Sequence, residues 1–184
     1  KIFGRWQNAT SVQLEHVWFG SILGPDGKPF KTRSGDTVRL ADLLDEAEER
    51  AFAVVSEKNP GLLESERREI ARVVGLGALK YADLSNNRQS DYIFDWDKML
   101  ALQGNTAPYL QYAYTRVRSI FRKMDAPNFD NVELQFKAPE ELTLAKHLMN
   151  FGQALEMVAQ DYRPNFLCNY LFELAGHFSR FYEA

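Results

Sequence analysis

Cysteine is almost absent: Cys168 is the only one in 184 residues. No disulfide framework can form within the chain, and a structural zinc site built on cysteine pairs is excluded. A reducing, cytoplasmic compartment is the natural expectation. Histidine is nearly as scarce. His16, His147 and His177 are scattered without metal-ligand spacing, so no metal site is expected, and each reads as a surface or core histidine. No apolar run approaches the roughly 20 residues of a membrane span. No signal peptide, internal repeat, low-complexity segment or Walker-type phosphate loop is visible. Excess charge of one sign is lacking too. With 22 basic and 25 acidic residues the net charge is −3, so no global field draws in nucleic acid and any such contact must come from local patches.

What remains is a chain that is 45% hydrophobic and 13% aromatic, enough for a sizeable core. Val12–Phe19 has the alternation and the Val, Trp and Phe content of a strand. Gly24–Gly27 reads as a turn, followed by a short extended segment over Lys28–Arg33. Leu43, Leu44, Ala47, Ala51 and Val54 mark an amphipathic helix over Leu40–Lys58, ended by Asn59-Pro-Gly61. A second helix runs from Ser65 to about Tyr81. Gly75 and Gly77 within it weaken its regularity or allow close backbone packing. Tyr92–Phe94 reads as a short extended piece and Asp95–Lys98 as the start of a brief helix. Thr106 as N-cap and Pro108 in the first turn open a long helix to Met124, with Leu110, Ala113, Tyr114, Val117, Phe121 and Met124 as its apolar stripe. After a loop, one helix is predicted from Pro139 through Ala159. Arg163-Pro164 ends it, and a last helix carries Phe166 through Tyr182. Three apolar helical faces joined by short loops make a bundle.

Three stretches stand out chemically. Lys28, Lys31 and Arg33 fall with Thr32 and Ser34 between two glycines, a composition that can surround a polyphosphate or simply form an exposed basic hairpin tip. Arg116, Arg118, Arg122 and Lys123 put four cations and no acid on the long helix; this is a solvated basic face or a phosphate-contact surface. Phe178, Phe181 and Tyr182 cluster beside Arg180, as core or as a platform for unpaired bases.

The segments Gly104–Met124, Tyr81–Arg88 and Asp91–Asp97 together resemble arginyl-tRNA synthetase, and the similarity extends with gaps from about Phe19 to the end of the chain. The resemblance implies a mainly α architecture. The end of a Rossmann-type class I catalytic domain, residues 1–94, would precede an all-α helical-bundle anticodon-binding domain, residues 95–184. It implies ATP as a substrate, with Mg2+ accompanying it, no prosthetic group, and arginine and tRNA as partners of the full-length ligase in protein biosynthesis. In that family the basic loop stands where other class I enzymes carry Lys-Met-Ser-Lys-Ser; here Phe30-Lys-Thr-Arg33 occupies the place. Lys31 and Arg33 are thereby the catalytic candidates. His16, Phe19, Gly20, Lys28, Lys31 and Thr32 are the ATP-binding candidates, and Arg116, Arg118, Arg122 and Tyr182 the tRNA-binding ones. Tyr182 alone takes the anticodon role, while Phe178 and Phe181 are assigned to the core.

The family's His-Ile-Gly-His-type signature is missing from these 184 residues, as is the Asp-Ala-Leu-Arg segment, and the first residue is Lys1. The expectation is a piece of a longer, monomeric ligase, inactive by itself. The alternative is a non-catalytic, synthetase-derived RNA-binding or scaffold module.

Overall fold

A computed structural model describes residues 15–29, 39–124 and 133–184. Two short strands and seven helices occur among them: β1 (Ile22–Leu23), α1 (Leu40–Lys58), α2 (Glu64–Leu84), β2 (Tyr92–Ile93), α3 (Trp96–Met99), α4 (Ala107–Lys123), α5 (Pro139–Met149), α6 (Phe151–Asp161) and α7 (Asn165–Glu183). Among the described residues no helix is long and apolar enough to cross a membrane.

The α1–α2 hairpin is built on small side chains. Ala47, Ala51 and Val55 of α1 and Ala71, Gly75 and Ala78 of α2 are buried. A side chain only one carbon long at these spacings lets two helix backbones touch. A Cβ at Gly75 would lie 2.5 Å from the Ala47 carbonyl oxygen, so the glycine is a close-approach residue and α2 continues through it unbroken. The hairpin ends where the sequence punctuates it. The Asn59 N–H closes α1 on the Val55 carbonyl. Glu66 accepts from the Leu63 N–H at 3.0 Å and holds the start of α2.

The core next to this hairpin gathers Ala47, Ala78, Phe94, Met99 and Ala107, with Leu43, Tyr81, Tyr92 and Trp96 against them. Phe94 and Trp96 meet edge to face at 4.8 Å between centroids. Packing is thus continuous across residues 94 and 95. β1 and β2 pair in parallel, Ile22 opposite Tyr92 and Leu23 opposite Ile93.

Several expectations are corrected. The described part of the predicted 12–19 strand, residues 15–19, is irregular, and the strand falls at Ile22–Leu23. Long-range side-chain bonds hold the irregular segment: Asp91 Oδ1 accepts from the Ser21 N–H at 2.6 Å, and Arg88 binds the Trp18 carbonyl. Of the extended segment over 28–33, the described part contributes one bridge, Leu23 to Pro29; residues 30–33 lie outside the described residues. The Gly24–Gly27 turn is present, closed by the Gly27 N–H on the Gly24 carbonyl at 2.9 Å with Gly27 at φ +71°.

The single helix over 139–159 is two. At Asn150 the backbone sits at φ −81°, ψ 0°, and its N–H bonds His147 O three residues back, so the axis turns. Both α5 and α6 then pack on α7. α6 ends at Tyr162 in the left-handed region, φ 52°, and Pro164 follows as the start of α7 approaches.

α4 begins as expected: Thr106 Oγ1 accepts from the Tyr109 N–H at 3.3 Å, with Pro108 in the first turn. Its buried arc is rotated, however. Ala107, Pro108 and Ala113 are buried, whereas Tyr114 is 63% and Phe121 53% exposed. The helix packs against both α2 and α7, so polar and cationic residues share the inner arc. Gln111 Nε2 donates to the Val73 carbonyl at 3.2 Å, and Tyr109 meets Phe172 of α7 at 5.5 Å.

Between α5 and α7, His147 and His177 come together. The His147 and Tyr170 rings stack at 4.5 Å. His147 Nε2 lies 3.1 Å from the Tyr170 carbonyl, which can only accept, so that nitrogen carries its proton. Tyr170 Oη returns a bond to the His147 carbonyl at 3.1 Å. His177 lies 4.8 Å from His147 and its Nδ1 accepts from Arg180 Nη2 at 2.9 Å. Burial, His147 and Arg180, in that order, push the His177 pKa down, with Glu173 opposing. A histidine whose folded pKa is depressed binds fewer protons folded than unfolded, so its contribution is intact above the unfolded value of about 6.5 and is lost as pH falls below it. Melting curves at pH 7.5 and 5.5 should show a smaller acid-induced drop in His177→Gln than in the parent chain; equal drops would refute the assignment.

Candidate functional site

The polar and aromatic groups of interest lie in two places, at the β1–β2 end and along the α4–α7 seam. At the first, Phe19 and Gly20 line an open cleft of about 540 Å³ with Ser21, Asp83, Arg88, Ser90 and Tyr92. Phe19 is 82% exposed, which is unusual for a large apolar ring and leaves its face free for a planar ligand. His16 and Lys28 are exposed and are not among the residues lining this cleft. The Lys28 N–H is fixed by Asp26 Oδ1 at 3.2 Å, at the end of the turn. Lys31, Thr32 and Arg33 lie outside the described residues. Of the four ATP-binding candidates among the described residues, the structure places Phe19 and Gly20 on this cleft. Burial and the Asp83 carboxylate push the Tyr92 hydroxyl pKa upward; Tyr92 donates to Asp83 at 3.2 Å and stays a neutral donor.

The sequence marks Arg88 as a hydrogen-bonding turn residue in the run Tyr81–Arg88; the structure makes it a tie between distant segments. Its guanidinium donates to three backbone carbonyls: Trp18, Tyr162 at 2.6 Å and Asp161 at 3.1 Å. The last two are the spent end of α6, where the helix dipole is negative and carbonyls lack helical partners. Its own carbonyl accepts from the Gly20 N–H at 2.6 Å. Next to it, Arg163 Nη2 donates to Gln89 Oε1 at 2.6 Å. Arg88 therefore ties the Phe19–Gly20 segment to the helical bundle, beside a bond of Glu15 to the Tyr162 hydroxyl. The sequence signal was a polar turn, Asn86-Asn-Arg88, within the run 81–91. Nothing local could reveal partners some seventy residues away on either side.

A second bond across the elements was also missed. Tyr81 Oη shares its proton between Asn105 Oδ1 at 2.5 Å and the Cys168 carbonyl at 3.0 Å, and Asn105 reaches Asn169 at 3.3 Å. Burial raises the pKa of both the Tyr81 hydroxyl and the Cys168 thiol. Cys168 is therefore an inert packing thiol.

Along α4 the three arginines differ. Arg118 and Arg122, four residues apart on one face, are exposed, while Arg116 is half-buried. No ion pair engages any of them among the described residues. The Arg116 guanidinium lies 4.6 Å from the centroid of Tyr182 on α7 and 5.7 Å from that of Tyr112 on its own helix. Tyr182 is 52% exposed and Tyr112 58%. Phe178 is 6.1 Å from Tyr182 and half-buried. Phe181, assigned to the core from sequence, is 39% exposed. The tRNA-contact candidates Arg116 and Tyr182 thus converge, with Arg118 and Arg122 further along the same helix.

The family model for tRNA synthetases class I (R), catalytic domain, matches residues 3–96, and that for the DALR anticodon binding domain matches residues 110–184. Arginine–tRNA ligase of Laribacter hongkongensis is 61% identical over 175 residues, 95% of this chain and 30% of that protein. The Chromobacterium violaceum protein of the same name is 59% identical over the same shares. Among solved structures, Thermus thermophilus arginyl-tRNA synthetase superimposes with a TM-score of 0.75 at 32% identity, over 90% of this chain and 27% of that one. The Plasmodium falciparum enzyme gives 0.78 at 29% identity, over 99% and 31%. The chain spans about 30% of the length of the curated relatives it matches, and it belongs to the arginine branch of the class I tRNA synthetase family.

Proposed function

We propose that this chain is a part of an arginine–tRNA ligase, which joins arginine, ATP and tRNA to give arginyl-tRNA, AMP and pyrophosphate. Residues 1–94 would supply the end of the catalytic domain and residues 95–184 much of the anticodon-binding bundle. Phe19 and Gly20, with His16 nearby in sequence, would border the adenine. Lys28, Lys31 and Thr32 would attend the triphosphate, with Lys31 or Arg33 stabilising charge on the departing pyrophosphate. Mg2+ would accompany the ATP. Arg118 and Arg122 would meet tRNA phosphates and Tyr182 a base of the anticodon loop, with Arg116 between them. The ligase would act in protein biosynthesis as a monomer in the cytoplasm, whose reducing environment suits the lone, buried Cys168.

The observation that carries the binding half of this reading is the meeting of Arg116 and Tyr182 at an exposed seam. Its test is binding of the 184-residue chain to arginine tRNA and to the same tRNA with a swapped anticodon, each at two salt concentrations. The native anticodon should be preferred, and Tyr182→Ala should remove the preference by about 1–3 kcal/mol, the worth of one base–aromatic stack. Equal, strongly salt-dependent binding of both RNAs would reduce the surface to a basic face and sink the assignment.

A further inference from the structure

We infer that Arg116 is a positioning residue for base recognition, acting through the Tyr182 ring, and is not a phosphate anchor. The inference rests on the tRNA-contact reading above and sharpens it. Three observations carry it. Arg116 is half-buried while its neighbours Arg118 and Arg122 are exposed, so of the three it is least available to a backbone phosphate. Its guanidinium is lodged between two phenol rings, at 4.6 Å from Tyr182 and 5.7 Å from Tyr112. The two rings come from different helices, α7 and α4, so the cation fixes the ring of one against the other.

A guanidinium over the face of a tyrosine is held by the ring quadrupole, and its planar, weakly hydrated fork suits stacking better than an ammonium does. Near the end of α7 the Tyr182 side chain would otherwise sample several rotamers. The base it accepts would then have to supply the ordering entropy. With Arg116 against the ring, and Phe178 6.1 Å away on the preceding turn, Tyr182 is held in one attitude before ligand arrives. The cation also draws electron density from the ring, which favours stacking with an unpaired RNA base. Phosphate contact falls to Arg118 and Arg122, whose i, i+4 spacing presents two cations on one exposed face.

The test separates the two roles in the 184-residue chain, with arginine tRNA and its anticodon-swapped form as probes. Arg116→Gln should lower the preference for the native anticodon about five- to tenfold, the size of one partly desolvated cation–π contact, and leave the salt slope of binding unchanged. Arg116→Lys, which keeps the cation, should retain most of the preference. Arg118→Ala should do the converse, reducing the salt slope by about 0.7 for a lost single-strand phosphate contact while the preference stays. The Tyr182 ring resonances in the free chain should move in Arg116→Gln and not in Arg118→Ala. A preference untouched by Arg116→Gln but abolished by Tyr182→Ala would overturn this inference and leave the tRNA-contact reading standing. No preference in the parent chain would overturn both.

Discussion

Replacing Gly75 by valine is expected to lower the melting temperature of this chain by about 10 °C, from an overpacking cost of roughly 3 kcal/mol at about 2–4 °C per kcal/mol. The sign is not obvious from sequence, because glycine inside a helix costs about 1 kcal/mol against alanine and its removal ought to help. The neighbours decide it. A Cβ at Gly75 would lie 2.5 Å from the carbonyl oxygen of Ala47, 2.7 Å from its carbon and 3.0 Å from the Glu48 nitrogen. All three are backbone atoms of α1 and cannot swing aside as a side chain would. Relief requires α1 and α2 to separate along their length, which opens contacts at Ala47, Ala51, Ala71 and Ala78, each no more than 1% exposed. Gly75→Ala should destabilise less, its clash partly offset by the propensity gain. Gly152 of α6 is the control: nothing lies within 4 Å of its added Cβ, and Gly152→Ala should be neutral or stabilise by up to ~1 kcal/mol. Thermal unfolding of the three variants checks this; a Gly75→Val chain that melts with the parent would mean the hairpin is looser than described.

That glycine shows what could be read ahead of the structure and what could not. Gly75 and Gly77 in an otherwise good helix signalled either irregularity or close approach, and only the partner helix chose between them. Features set by neighbours in sequence were legible. α1 begins and ends at the predicted residues because Asn59-Pro-Gly61 cannot continue it, and α4 starts after Thr106 because a cap and a proline coincide there. Orientation was less legible. The arc of α4 that faces inward depends on two partners at once, so a stripe drawn from apolar periodicity placed Tyr114 and Phe121 inside where the structure leaves them out. The break at Asn150 was hidden because leucine and alanine keep helical spacing across it. In the site, the residue types of the basic loop and of α4 pointed to phosphate. The convergence of Arg116 on Tyr182, sixty-six positions on, belongs to tertiary structure alone, as does the role of Arg88.

Arg88→Ala should cost about 3 kcal/mol, within the range for removing a charged group's hydrogen bonds, and the loss should be local in its consequences. The guanidinium fork reaches the Trp18 carbonyl on one side and the Asp161 and Tyr162 carbonyls on the other. Without it, the two carbonyls at the end of α6 keep only what water can supply, and the segment carrying Phe19 and Gly20 keeps Glu15 on the Tyr162 hydroxyl as its remaining side-chain tie to α6. The parallel β1–β2 pair is only two residues long and is not self-supporting. Hydrogen exchange is therefore the sharper readout than the melt. The amides of Gly20, Tyr92 and Phe94, bonded to Arg88, Ser21 and Leu23 carbonyls respectively, should lose protection in Arg88→Ala, while those at the centre of α1 and α2 keep theirs. Arg88→Lys should rescue little, since an ammonium is a point donor and cannot span carbonyls in two different segments as a fork does. If all amides lost protection together, Arg88 would be a general stabiliser; if Gly20 alone held its protection, the tie would lie elsewhere. Selective loss would make Arg88 a side chain through which a disturbance at the end of α6 reaches the cleft beside Phe19.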